Sequence, residues 1–225
     1  MTTVLEKPTA EGVRSAAKRF DEENRIIENA LGDLFRQYPE NTDPARVLLK
    51  VAALNALYST QIPLYSNRIP TISDVAHHII QRDIDSDLQR GLPDLVDAIA
   101  ATQSEDNKKC YNYSFATKYC NWHRPDFYPI WDSRVDRYLW QFRNQETGGL
   151  GGFRKFKRKE LWSYPTFKQV VVDFRVHFNL GEFSFKEIDK FLYIEGSKLF
   201  AQSSEQGLNP DIPAESRAGR PGPRF

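Results

Sequence analysis

The segment between Asp43 and Thr60 limits the possible folds more than any other part of the chain. Asp43 is a residue type that caps helix N-termini, and Pro44 suits the first helical position, so a helix is predicted to start here. Apolar side chains then fall on nearly every face of that helix, which other elements must bury. The sequence therefore predicts a buried central helix that ends near Thr60. Its apolar residues are Val47, Leu48, Val51, Leu54, Leu57 and Tyr58.

Further helices are predicted on both sides of this central helix from apolar periodicity, N-cap residues and proline positions. Ser184 and Glu187 form a capping-box pattern before the last helix, and Gly196 is predicted to end it. The run QVVVDF has β-propensity, but its neighbours favour a helix. We therefore predict an all-α fold. The other predicted helical segments are 11–38, 71–80, 93–99, 104–122 and 133–142, with two more after Pro165 and Ser184.

Length and composition limit the domain organisation. A chain of 225 residues with 40% hydrophobic and 13% aromatic residues can bury a sizeable core, as one large domain or two small lobes. We predict a single helical domain over residues 1–201, with lobes at about 43–103 and 104–201 that follow the N-terminal helices. Residues 202–225 are rich in Pro, Gly, Ser and Arg, which predicts a disordered tail. A flexible loop is predicted at Gly148, Gly149, Gly151 and Gly152.

Membrane insertion, disulfides and cofactors have no support in the sequence. No run approaches about 18 apolar residues, and the N-terminus lacks an apolar secretory segment, so a cytoplasmic location is the default expectation. Cys110 and Cys120 are predicted on one helix about 15 Å apart, too far for a disulfide, so we expect packing thiols. The four histidines lack zinc-site spacing. Neither a metal nor another cofactor is expected.

Two segments place polar side chains next to predicted helix ends. Residues 48–63, LLKVAALNALYSTQIP, leave the central helix through a Ser59-Thr60-Gln61 turn. One interpretation of Gln61 is that it only caps the C-terminus of that helix. In residues 111–140, an amphipathic helix, a proline-containing loop and the extended run FYPIW precede Asp132, which opens a new helix. Asp132 therefore fits an N-cap position, whatever else it does.

A third segment is strongly basic. Residues 153–159, FRKFKRK, contain five cations in seven positions. Such a surface can neutralise phosphates of a nucleic acid, although a solvated basic loop is the alternative interpretation. The residues predicted to contact phosphate are Arg134, Arg154, Lys155, Lys157 and Arg158.

The first two segments resemble the helix-hairpin-helix DNA glycosylases of the endonuclease III type, over residues 43–142. The resemblance implies two helical lobes around a DNA-binding cleft. It also implies that Gln61, in its turn with Ser59, enters the minor groove, where the amide hydrogen-bonds an orphaned base and the stem replaces stacking. Asp132 matches the catalytic carboxylate, which stabilises positive charge on the sugar or activates the attacking group.

Two features of that family are missing here. Residues 102–110, TQSEDNKKC, lack the Leu-Pro-Gly-x-Gly turn that binds phosphate through main-chain N–H groups. Where bifunctional members have a nucleophilic lysine, this chain has residues 112–114, Asn-Tyr-Ser. Lys118 lies later on the same helix, and three roles stay open for it: a desolvated Schiff-base nucleophile, electrostatic support for Asp132, or a snorkelling side chain. We therefore expect a monofunctional enzyme.

The sequence thus predicts a DNA N-glycosylase that flips a modified or damaged base out of double-stranded DNA and leaves an abasic site. Tyr58 and Trp131 are predicted to line the pocket that stacks the base, and a monomer is expected. Both base repair and attack on modified phage DNA (antiviral defence) fit this activity. Two alternatives remain: a non-catalytic DNA-binding module on the same scaffold, and a helical protein-interaction domain without nucleic acid.

Overall fold

The computed structural model describes residues 7–143 and 152–205, with side chains to residue 199. This part of the chain is mostly helical, as predicted. None of its helices combines the length and apolar character that crossing a membrane requires. The described helices are α1 (Ala10–Gln37), α2 (Pro44–Tyr58), α3 (Ile72–Gln81), α4 (Asp85–Arg90), α5 (Asp94–Ala100), α6 (Tyr113–His123), α7 (Ser133–Gln141), α8 (Tyr164–His177) and α9 (Phe185–Glu205), with a 3₁₀ helix at Arg158–Trp162.

The chain forms two compact units. The middle unit is residues 25–131, and the terminal unit combines residues 7–24 with residues 132–205 of the described chain. The boundary in the second half of the chain therefore lies between Trp131 and Asp132, whereas the sequence placed a lobe boundary between residues 103 and 104. Of the predicted site residues, Gln61 and Lys118 belong to the middle unit, and Asp132 belongs to the terminal unit.

Helix α2 forms part of the core of the middle unit and begins as predicted. The Asp43 side chain accepts a hydrogen bond from the backbone N–H of Arg46 at 3.0 Å, and Pro44 occupies the first turn. Val47, Val51 and Leu54 are fully buried, and α2 packs on α3 and α6. The prediction that α2 is buried on all faces was wrong, because its opposite face remains exposed. That face carries Leu48, Leu49 and Leu57.

A β-hairpin stands where the sequence predicted the start of a helix over 104–122. Strands β1 (Ala101–Gln103) and β2 (Lys109–Tyr111) pair antiparallel, and α6 begins only at Tyr113. Ser104 explains the turn: its N–H bonds the carbonyl of Lys108, and its hydroxyl accepts from the N–H of Lys108. Asn107 adopts a left-handed φ of 62°. Ser and Asn stabilise such turns through side-chain bonds that compete with helix formation.

The hairpin also separates the two cysteines. Cys110 lies on β2 and Cys120 on α6, so the prediction that they share one helix was wrong. Both are free thiols, as expected. Burial raises the pKa of the Cys110 thiol to about 11, although its hydrogen bonds with Asn112 and Thr102 oppose the shift. A thiol with that pKa stays protonated at neutral pH and is a poor nucleophile.

In the terminal unit, α7 packs closely against α9, and Gly196 lies at this contact. The prediction that Gly196 ends the last helix was wrong. Helix α9 begins at the predicted Ser184–Glu187 capping box but runs through Gly196 to Glu205, so residues 202–205 are helical and not part of a tail. A Cβ on Gly196 would lie 2.4 Å from the carbonyl oxygen of Arg134. Glycine is required there for the close approach of two backbones. The QVVVDF run lies in α8, as predicted.

Two predictions fall on parts of the chain that are not described. Residues 148, 149 and 151 of the predicted glycine loop lie outside the described residues, as do residues 206–225 of the predicted tail.

We expect Gly196→Ala to destabilise the terminal unit. The methyl group would meet the α7 backbone, which cannot move away as a flexible side chain could. Overpacking of this kind lowers the free energy of unfolding by about 1–3 kcal/mol. Urea denaturation would measure the change. Gly181→Ala is the matched control, because no atom lies within 4 Å of its added Cβ. Equal stability of the two variants would contradict the proposed backbone contact.

Candidate functional site

The turn after α2 holds two non-glycine residues in left-handed backbone conformations. Ser59 has φ 50° and ψ 47°, and Gln61 has φ 63°. For L-residues this conformation costs about 1–2 kcal/mol each. Such strain persists only where surrounding contacts impose it, and it is concentrated at functional sites.

Asn55 imposes the conformation of this turn from inside α2. Its side-chain amide donates to the carbonyl of Ile62 at 2.8 Å, and its carbonyl oxygen accepts from the N–H of Ile62 at 2.9 Å. The same oxygen accepts from the hydroxyl of Thr60 at 2.8 Å. The residues on both sides of Gln61 are therefore fixed, while Gln61 itself is exposed.

The helix-capping interpretation of Gln61 loses its basis in this geometry. The backbone N–H of Ser59 caps α2 by donating to the carbonyl of Asn55. Within the described chain, the Gln61 side chain makes no hydrogen bond, so its amide faces solvent with its donors and acceptor available.

Lys118 is buried on α6 beside the end of α2. Lys118 is only 3% exposed, and its ammonium donates to the Ser114 hydroxyl at 2.6 Å. It also lies 5.5 Å from the centre of the Tyr58 ring, in a cation–π contact. The indole N–H of Trp122 donates to the Tyr58 hydroxyl at 3.2 Å. Tyr58 therefore contacts the buried Lys118 ammonium, and the Ser59–Gln61 turn begins at the next residue.

Trp131 is buried in the middle unit. It is 7% exposed, and its ring lies 5.2 Å from that of Tyr113. Its backbone N–H donates to the Thr117 hydroxyl, which in turn donates to the Trp131 carbonyl. These contacts anchor the chain immediately before Asp132. The ring is thus largely covered in this structure, and the stacking of a base on Trp131 stays a prediction.

Asp132 is the N-cap of α7, as predicted. Its Oδ1 accepts from the backbone N–H groups of Arg134 at 2.8 Å and Val135 at 2.9 Å. No described residue donates a hydrogen bond to its Oδ2, and the side chain is half-buried. The two roles proposed for Asp132 are therefore compatible, because one oxygen fixes the carboxylate and the other is available.

Asp136, one turn further along α7, is a buried carboxylate that the sequence did not reveal. It is 4% exposed, and its Oδ2 accepts from Nε and Nη2 of Arg158 at 2.8 and 2.6 Å. Burial raises the pKa of Asp136, and the Arg158 guanidinium opposes that shift. The only sequence signal was an acidic residue four positions after Asp132, and the sequence could not identify its partner.

The two arginines of the basic segment, which are predicted to contact phosphate, are paired with carboxylates in this structure. Arg158 is paired with Asp136, and Arg154 forms an ion pair with Asp173. The Arg134 guanidinium lies over the Tyr193 ring at 4.7 Å. The exposed cations of the segment are Lys155, Lys157 and Lys159.

Lys50, a second buried amine, was also missed. It is 0% exposed, and its ammonium donates to the carbonyls of Tyr38 and Glu40 and to Oδ1 of Asn41. Burial lowers its pKa to about 8. His123 Nε2 lies 3.3 Å away, and burial together with the Lys50 charge lowers the His123 pKa to about 3. The signal was a lone lysine inside an apolar helical run.

A polar cavity of about 500 Å³ lies between α3 and the hairpin, where His78, Arg82 and Gln103 contribute to its walls. Among the described residues, no group of three or more His, Cys, Asp and Glu side chains is arranged to hold a metal ion.

The chain is thus a mostly helical protein with a strained polar turn and two buried amines in its middle unit. It belongs to the HI_0787_N family, whose model, described as an N-terminal domain, matches residues 12–127, over half of the chain. That match includes Gln61 and Lys118 and ends before Asp132. An uncharacterized protein of Haemophilus influenzae is 38% identical over 141 residues. The alignment covers 62% of this chain and 64% of that relative's length. No solved structure matches the chain.

We expect the buried Lys50 to make stability depend on pH. Its pKa is about 8 in the folded protein and close to the ordinary value of 10.5 when unfolded. Between these values the unfolded chain binds more protons, so the free energy of unfolding rises with pH. The gain approaches about 3 kcal/mol across the window. Urea denaturation from pH 7 to 10 would measure this rise as the difference between the natural chain and Lys50→Met. Parallel curves would contradict it.

Proposed function

We propose that this protein is a DNA N-glycosylase that acts on a modified or damaged base in double-stranded DNA. The observation that supports this most is the Ser59–Gln61 turn. An exposed glutamine is held there in a left-handed backbone conformation, because the Asn55 side chain bonds Ile62 immediately after it. The helix-hairpin-helix glycosylase fold implied by the sequence resemblance, with two lobes around a DNA-binding cleft, is part of the proposal.

The turn has the properties that a base-displacing element needs. The backbone of Gln61 is fixed before binding, so inserting its side chain into a duplex costs little additional backbone entropy. The exposed amide has two donors and one acceptor for an orphaned base, and its stem occupies the space of the displaced base. In the same unit, the buried Lys118 and the half-buried Tyr58 supply positive charge and an aromatic ring behind the turn.

Asp132 is the residue to which we assign the chemistry. A carboxylate whose one oxygen is fixed by two backbone N–H groups keeps a defined orientation. Its second oxygen stabilises positive charge on the sugar as the N-glycosidic bond breaks, or activates a water that attacks C1′. The products are the free base and an abasic site. Lys118 takes an electrostatic role in this scheme, which corresponds to a monofunctional enzyme.

A hairpin lies between α5 and α6, at the sequence position where the resemblance would put the glycine-rich phosphate-binding turn of the glycosylase family. Its turn is built from Ser104, Asp106 and Lys108, whose side chains bond one another. The proposal therefore assigns phosphate binding to other parts of the chain.

We expect Asp132→Asn to abolish base excision while the protein stays folded. Asn caps helices about as well as Asp, so the bonds to Arg134 and Val135 remain. Loss of the charge should slow excision at least about 100-fold. Duplexes with different modified bases and modified phage DNA would be incubated with each protein, and strand breaks scored with and without alkali. Asp43→Asn, at the N-cap of α2, is the matched control.

Each outcome of that assay is informative. Alkali-dependent breaks that vanish only in Asp132→Asn would support a monofunctional glycosylase and identify the base class. Breaks without alkali would shift the chemistry to an amine such as Lys118. Binding without breaks on any substrate would favour the non-catalytic DNA-binding module, and absence of binding would overturn the proposal.

Gln61→Ala should weaken action on duplex DNA without changing stability. The exposed amide contributes nothing to the fold, but hydrogen bonds to an orphaned base are worth about 1–1.5 kcal/mol, or about tenfold in kcat/KM. Single-turnover kinetics on a duplex would measure this, with Gln89→Ala as the control for removal of an exposed glutamine in the same unit. Unchanged kinetics in Gln61→Ala would remove the main support for the proposal.

A further inference from the structure

The cavity of about 500 Å³ lies within the middle unit, between one face of α3 and the β1–β2 hairpin. Asp74, His78 and Arg82 line it from α3, and because they are four residues apart they share one face of that helix. Gln103 and Asn107 line it from the hairpin. Sites for small molecules usually have volumes of about 300–1,000 Å³, so this cavity has room for a ligand.

The two hairpin residues are joined through their side-chain amides. Gln103 Nε2 donates to Asn107 Oδ1 at 2.9 Å, and within the described chain neither side chain makes another hydrogen bond. Oε1 of Gln103 and Nδ2 of Asn107 are therefore available, one as an acceptor and the other as a donor. The backbone holds both residues in place, because Gln103 pairs with Lys109 across the hairpin and Asn107 has a left-handed φ of 62°.

The walls of the cavity carry no excess of positive charge. Arg82 is exposed, but the carboxylates of Asp74 and Glu105 line the same cavity. His78 is 9% exposed, and burial lowers its pKa although the hydrogen bond with the Ala98 carbonyl opposes the shift. Its imidazole is therefore neutral at neutral pH. This balance favours an uncharged polar ligand over a phosphate or a carboxylate.

We propose that this cavity binds the edge of a nucleobase that has left its base pair. The Watson–Crick edge of each base has a hydrogen-bond donor next to an acceptor, and the available groups of Gln103 and Asn107 complement such an edge. In a duplex that edge is occupied by the partner base, so only an extruded or single-stranded base offers it. The inference rests on the proposed function for the source of the base. It assigns recognition of the base to the middle unit, whereas the chemistry is assigned to Asp132.

The test is a titration of the full chain with deoxynucleosides, followed through the side-chain NH₂ signals of Gln103 and Asn107 in nitrogen–proton NMR spectra. Thymidine and deoxyadenosine should shift these signals. Thymidine methylated on its ring N–H, and deoxyadenosine methylated twice on its exocyclic amine, keep ring and sugar but lose the donor, so they should bind about tenfold more weakly or less. Thymidine monophosphate should bind no more tightly than thymidine, because the cavity has no excess of positive charge.

Two variants remove the two amides separately. Gln103→Leu removes the acceptor, and Asn107→Gly removes the donor while glycine keeps the left-handed conformation without strain. Each should weaken thymidine binding about fivefold, as the loss of one hydrogen bond does. The matched control is Gln89→Leu, an exposed glutamine of the same unit outside the cavity, which should leave binding unchanged.

Three results would overturn the inference. They are equal binding of the methylated nucleosides, shifts of the same size with acetamide, which has an amide edge but no ring, and tighter binding of the monophosphate. Unchanged binding in both Gln103→Leu and Asn107→Gly would overturn it as well.

The remaining results separate this inference from the proposed function. Edge-dependent nucleoside binding, with no excision of any base from DNA, would support the cavity and overturn the glycosylase. Excision that depends on Asp132, without nucleoside binding by the natural chain, would do the reverse. Absence of both nucleoside binding and excision would overturn both.

Discussion

One buried charge links α2 to the end of α1, the start of α4 and α6 in the middle unit. The Lys50 ammonium, on α2, bonds the carbonyls of Tyr38 and Glu40 just after α1 and the side chain of Asn41. Asn41 in turn bonds Asp85 at the start of α4 and accepts from the Tyr119 hydroxyl on α6. A fully buried charge is tolerated only when its hydrogen bonds are made, so the elements that supply them have to keep their positions. Packing alone would leave those positions less well defined.

The hydrogen bonds that fix this arrangement help to offset the strain of the Ser59–Gln61 turn. α2 is held near its middle by Lys50, and Asn55 near its C-terminal end directs the exit of the chain through Ile62. Two left-handed residues then place Gln61 in solvent. Close by, Lys118 and Tyr58 keep a cation and a ring at the end of the same helix. The turn is thus a rigid projection from a well-anchored core.

The terminal unit uses charge differently. Its carboxylates Asp136 and Asp173 take up two arginines, and this pairing fixes a segment whose lysines remain at the surface. Arginine suits the inward role because its planar fork can make two bonds to one carboxylate, as Arg158 does with Asp136. A count of cations in the segment would not show which of them are paired with carboxylates of the same unit.

The sequence by itself determined the helical class, the starts of α2, α7 and α9, and the N-cap position of Asp132, because those features depend on residues within one turn of each other. It misjudged the hairpin at 101–111, where side-chain bonds within a turn outcompeted helix propensity. It also misjudged Gly196 as a helix end. Glycine is needed there because the α7 backbone lies too close for a Cβ. Only the tertiary structure decided which cations are bound by partners within the protein, because Lys50, Arg154 and Arg158 find their partners 9 or more residues away. Pairing between distant residues depends on how the helices and loops pack, and the local sequence pattern does not specify that packing.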